Sequence, residues 1–137
     1  MIYADYNATT PLGEKAKDWM AQALELWGNP SSSHRYGRKA SELLNKSRES
    51  VAELLGVNPN DIVFTSGGSE ANTLALMGLA LEVGPGFRLL TSLVEHSSIR
   101  DTLPLIEKLG GIVQHVAVNS EGQLSLVALQ KQIETFK

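Results

Sequence analysis

No cysteine occurs anywhere in the 137 residues. That excludes a disulfide framework and any thiolate-ligated zinc site in this stretch, and no metal site is expected. Charge of one sign is also scarce. Twelve Lys and Arg stand against 15 Asp and Glu, a net of −3, and a weakly acidic balance speaks against a nucleic-acid partner. The longest apolar-rich run, Ala71 to Leu81, is too short to span a bilayer, so no membrane partner is expected either. Met1-Ile2-Tyr3-Ala4-Asp5 lacks the basic and apolar regions of a signal peptide, which makes the cytoplasm the default expectation. The composition itself, 42% hydrophobic and 20% charged, is that of a globular chain with enough residues for a core.

The informative stretch is Ile62-Val63-Phe64-Thr65-Ser66-Gly67-Gly68-Ser69-Glu70-Ala71-Asn72. Its start has the β-branched and aromatic residues of a strand, and a long apolar segment follows the glycines, so strand, tight turn and helix start are predicted. A helix start leaves N–H groups without partners at the positive end of the helix dipole. Glycines let an anion approach that backbone, and a serine adds a hydroxyl donor, a geometry suited to phosphate. An ordinary strand-to-helix turn uses the same residues for backbone freedom and capping, and the local pattern leaves both readings open. No Gly-Lys-Ser/Thr follows the glycines and no G-x-G-x-x-G spacing occurs, so neither a P-loop nor a dinucleotide fingerprint is present.

Three segments are expected. Residues 1–13, with Asn and Thr before Pro11, form an extended arm. Residues 14–56 are helical: Ala16, Met20, Ala23, Leu24 and Trp27 recur at helical spacing from Glu14 to Trp27, and a second helix runs from Arg38 to Leu55 with Gly56 just beyond it. Residues 57–137 are α/β. Strands are predicted at 62–65, Phe87–Ser92 and Ile112–Val118, with helices over Glu70–Val83, 97–109 and from Leu126 onwards. Val83 ends the first of these, which carries no charge before Glu82 and is therefore expected to be buried on most sides. Pro104 must kink the second or sit in its first turn. Ser125 can cap the third. Such a β-α-β-α-β order implies parallel strands, with ligands gathering at their carboxyl ends.

Four motifs then stand in register. They are Asp5-Tyr6-Asn7-Ala8-Thr9-Thr10-Pro11, Gly28-Asn29-Pro30-Ser31-Ser32-Ser33-His34-Arg35-Tyr36-Gly37, Phe64-Thr65-Ser66-Gly67-Gly68-Ser69-Glu70-Ala71-Asn72, and Glu95-His96 after a strand. In this order they resemble the N-terminal third of cysteine desulfurases of the NifS/IscS type, pyridoxal 5′-phosphate (PLP) enzymes of the class V aminotransferase family. The resemblance implies the large domain of a fold type I PLP-dependent transferase, here incomplete. It implies that Gly68 and Ser69 hold the PLP phosphate, and that His96 stacks on the pyridine ring and moves protons, a task suited to imidazole at neutral pH. His34 lies within a motif but has no role assigned, and His115 is expected to be structural.

The chemistry implied is removal of sulfur from L-cysteine, leaving L-alanine and an enzyme persulfide for a sulfur-acceptor protein in iron–sulfur cluster or thio-cofactor synthesis. The family's cofactor-tethering lysine, pyridine-facing aspartate, carboxylate-binding arginine and mobile cysteine find no match here, and the seven lysines lie outside the family motif. A fragment of a longer, homodimeric enzyme is therefore expected. Two alternatives remain: another class V enzyme, such as a selenocysteine lyase or a small-molecule aminotransferase, or a non-catalytic α/β interaction module. In the family the strands equivalent to 62–65 and 88–92 are not neighbours. Residues 62–65 are accordingly expected to hang at an edge, to pair with another chain, or to shift beside 88–92.

Overall fold

Several helix ends in this chain follow the chemistry of their capping residues. The computed structural model describes residues 2–136, which fall into two units, Met1–Val63 and Phe64–Lys137. In the first, α1 (Glu14–Leu24) stops short of the expected Trp27, and Trp19, Met20 and Leu24 on it are exposed. The second helix, α2 (Arg35–Leu55), begins three residues before the expected Arg38 because His34 caps it. The ring Nδ1 of His34 accepts the Gly37 N–H at 3.2 Å, the service usually given by Ser, Thr, Asn or Asp. The loop before it folds back tightly. A side chain at Gly37 would place its Cβ 2.2 Å from the Ser32 carbonyl oxygen, so only glycine fits, and Trp27 stacks on Tyr36 with ring centroids 4.4 Å apart. At the far end Gly56 adopts φ 67°, ψ 33°, the left-handed terminator expected of that glycine.

The second unit holds α3 (Gly68–Val83), β1 (Arg88–Ser92), α4 (Ser97–Arg100), α5 (Leu103–Lys108), β2 (Ile112–Val116) and α6 (Leu126–Thr135). Strands β1 and β2 pair in parallel from Arg88↔Ile112 to Ser92↔Val116, so the crossover through α4 and α5 gives the expected β-α-β unit. Three expectations need correction. Residues 62–65 join no sheet among the described residues, since β1 and β2 form a two-stranded sheet by themselves; a strand exists only through its ladder partner. The helix expected over 97–109 is two helices, and Pro104 sits in the first turn of α5, where its missing N–H costs nothing. Val118 lies outside β2 and forms an isolated antiparallel bridge with Leu124 across the Asn119–Gln123 turn.

The core of this unit is small. Ala80, Leu103, Ile106 and Val116 are buried, together with the hydroxyls of Ser92 and Thr102. Helix α3 packs on α4 and α5, yet Ala80 is its one buried residue, and Leu74, Leu79, Leu81 and Val83 are more than half exposed. The expectation that α3 is buried on most sides therefore fails within this chain: a two-stranded sheet and two short helices cannot cover a helix that is apolar all round. Ser125 caps α6 as expected, its Oγ accepting the Ala128 N–H at 3.2 Å. No helix among the described residues is long and apolar enough to cross a membrane.

Ile106 is fully enclosed, so Ile106→Ala should lose about 2–5 kcal/mol of stability. The exposed Val127→Ala should change it by roughly 0.5 kcal/mol or less. Urea unfolding of the two variants checks this, and equal losses would contradict the position of the core.

Candidate functional site

The first turn of α3 is open. Gly67 is its N-cap, with extended backbone (φ 166°, ψ −179°), and no side chain caps the helix. The first amide to find a partner is that of Ala71, bonded to the Gly67 carbonyl at 3.1 Å. The N–H groups of Gly68, Ser69 and Glu70 thus stand at the positive end of a 16-residue helix without an acceptor among the described residues. Neither glycine is required by the fold. Neither lies in the left-handed region, and a Cβ at either position would meet nothing within 4 Å. Residues 67–70 are exposed, and the donor set, amides plus the Ser69 hydroxyl, fits a phosphate.

The turn before α3 is braced by its own residues. Thr65 Oγ1 donates to the Gly67 carbonyl at 3.1 Å. Glu70 reaches back along the chain. The Ser66 hydroxyl, and the Ser66 N–H at 2.6 Å from Oε2, hold its carboxyl below the usual glutamate range. This resembles a capping box shifted by one residue. An open groove of about 530 Å³ continues along α3 from Ser69 and Glu70 past Thr73 and Met77 to Leu81.

His96 is the N-cap of α4, four residues beyond the end of β1. The intervening turn is held by Ser92 Oγ, buried, donating to Glu95 Oε1 at 2.7 Å. The His96 ring is exposed, with Nδ1 3.1 Å from the Ser98 N–H and 2.9 Å from Ser98 Oγ. Asn72 Nδ2 donates to the same Ser98 Oγ at 2.8 Å. One turn of α3 separates Ser69 from Asn72, so the phosphate-type turn and His96 are tied through two hydrogen bonds. The sequence reading missed this link. Asn72 closes the third motif, but nothing local reveals a partner 26 residues away. His34 lies in the other unit as the cap of α2, and His115 is an exposed residue of β2 opposite Thr91. Among the described residues no group of three or more His, Asp or Glu could hold a metal.

Comparison with known proteins places the chain in a family. The family model for aminotransferase class-V matches residues 2–136, and the chain belongs to that family. It is 44% identical to a NifS/IcsS protein homolog of Lactobacillus delbrueckii subsp. bulgaricus over 91% of its length and 33% of the relative's. It is 41% identical to a cysteine desulfurase IscS of Proteus mirabilis over 94% of its length and 33% of the relative's. Among solved structures, a NifS-like protein superposes with a TM-score of 0.84 at 34% identity, covering 93% of this chain and 35% of that one. SspA in complex with cysteine gives 0.85 at 33% identity, covering 94% and 38%. The chain thus spans about a third of the length of the curated relatives it matches. The fold is that of the NifS-like desulfurases.

Because the folded pKa of Glu70 is lowered, its bonds to Ser66 stabilise the turn above the ordinary carboxylate range. They are lost as pH falls through the lowered value. In a carboxyl NMR titration Glu70 should protonate at lower pH than an ordinary glutamate, and Ser66→Ala should move it back up. An unmoved Glu70 in that variant would contradict the bracing.

Proposed function

We propose that the chain is the N-terminal third of a PLP-dependent cysteine desulfurase, with Gly68 and Ser69 as the phosphate anchor and His96 as the ring-stacking, proton-moving residue. Residues 1–13 are the arm, 14–56 the helical segment, and 57–137 an incomplete cofactor-binding large domain. The observation that carries this reading is the uncapped, exposed start of α3, where three amides have no acceptor among the described residues and Ser69 stands beside them. Family membership supports the choice of PLP among phosphate ligands, and the IscS-named relatives support the choice of reaction.

When bound, PLP supplies an electron sink for bond changes at a substrate amine. Gly68 and Ser69 would offer N–H donors to its phosphate, and Ser69 would add its hydroxyl, holding the cofactor from one end. His96 would stack on the cofactor ring and would move a proton on the substrate side. In the whole protein the substrate is L-cysteine, a choice supported by the similar structure in complex with cysteine. The products are L-alanine and a persulfide on an enzyme thiol, passed on to a sulfur-acceptor protein for iron–sulfur cluster or thio-cofactor synthesis. A cytoplasmic homodimer is the proposed form.

In the whole protein Ser69→Ala should weaken PLP retention by roughly 1–3 kcal/mol, the scale of a charge-assisted hydrogen bond. His96→Ala should keep the cofactor and slow turnover. Equilibrium dialysis and sulfide release check both, and unchanged PLP affinity in Ser69→Ala would overturn the anchor. The 137 residues alone hold no thiol to receive sulfur. Mixed with PLP and L-cysteine they should release no sulfide above a lysine-containing control protein.

A further inference from the structure

We propose that Asn72 and Ser98 are positioning residues that lock His96 in its Nε2–H tautomer, so that Nε2 offers a proton donor and not an acceptor. The proposal rests on reading His96 as the proton-moving ring; the placement of the proton follows from the hydrogen bonds alone. The two neutral forms of an imidazole differ only in which nitrogen carries the hydrogen, and the bond made by one nitrogen decides the state of the other. The Ser98 N–H can only donate, and it points at Nδ1 of His96 from 3.1 Å. That bond favours Nδ1 as the acceptor, with the proton on Nε2; the Ser98 hydroxyl completes the lock.

The hydroxyl of Ser98 acts in the same direction. Asn72 Nδ2 is a donor with no lone pair to give, and it lies 2.8 Å from Ser98 Oγ. Ser98 Oγ accepts that bond and keeps its own hydrogen for Nδ1, 2.9 Å away. The run Asn72 N–H to Ser98 O–H to His96 Nδ1 has one possible polarity, and each bond polarises the next. It is also anchored. Thr102 is buried, donates to the Ser98 carbonyl at 2.9 Å, and its Oγ1 lies 3.2 Å from Thr73 Oγ1 on α3. Helix α4, four residues long, would fray by itself; this polar seam to α3 holds its N-cap histidine in one orientation.

The test is long-range proton–nitrogen NMR on the full chain labelled with nitrogen-15 histidine, without PLP, at a pH where the ring is neutral. His96→Gln assigns the signals. A single Nε2–H form is expected for His96. Asn72→Asp keeps the shape at position 72 but replaces a donor with an acceptor. The new carboxylate accepts a hydrogen bond from the Ser98 hydroxyl, which leaves a Ser98 Oγ lone pair for Nδ1 and should bring in the Nδ1–H form. Ser98→Ala leaves only the backbone bond and should give a mixture, whereas Ser98→Thr restores the hydroxyl and should restore the single form. A His96 that already averages between tautomers in the unaltered chain would overturn the proposal, as would one tautomer unchanged through Asn72→Asp and Ser98→Ala. If the substituted chains lose their amide dispersion, the unaltered chain and Ser98→Thr decide. A fixed tautomer in a protein indifferent to PLP would sink the proposed function and spare this inference. An averaged ring beside a PLP-responsive Ser69 would do the reverse.

Discussion

An α-helix cannot satisfy its own first N–H groups, and α3 leaves three of them without an acceptor among the described residues. Three other helices solve the same problem locally, while α1 and α5 also lack a side-chain cap. His34 caps α2, His96 caps α4 and Ser125 caps α6, each with a side-chain acceptor. At α3 the N-cap is Gly67, which has no side chain to offer, and Glu70 is turned back to Ser66. The helix dipole and the amides therefore remain directed at whatever arrives from outside. The rest of the site is arranged around that start. Asn72 and Thr73 continue its face, and their bonds to Ser98 and Thr102 fix α4 and α5.

A second constraint is the large apolar surface left uncovered. Trp19, Leu24, Leu74 and Leu81 are more than half exposed, whereas a folded monomer rarely leaves contiguous apolar faces open. The chain spans about a third of the relatives it matches, and its two-stranded sheet offers α3 little area to pack on. The polar seam between α3 and the α4–α5 pair matters the more for this. Thr73, Asn72, Ser98 and Thr102 set the geometry where hydrophobic burial is thin.

The features legible in the sequence were those with local causes. Gly56 ends α2, Pro104 opens α5 and Ser125 caps α6 because each residue's own backbone or side-chain chemistry decides the matter. The parallel strands and their crossover were legible from the alternation of apolar runs and turns. What escaped depends on residues distant in sequence. Residues 62–65 have the composition of a strand, but strand formation needs a ladder partner, and they pair with none among the described residues. The exposure of α3 could not be read from its apolar sequence, because burial depends on what is available to cover it. The cap by His34 was hidden by residue type. The Asn72–Ser98 bond joins positions that no periodicity relates.

The central claim is that the start of α3 binds a phosphate group through its backbone. The most direct measurement follows backbone amide shifts of the chain during titration with PLP, with pyridoxal lacking the phosphate, and with inorganic phosphate. The amides of Gly68, Ser69 and Glu70 should shift with PLP and with phosphate and stay still with pyridoxal. Equal shifts with pyridoxal, or phosphate-dependent shifts centred away from this turn, would contradict it.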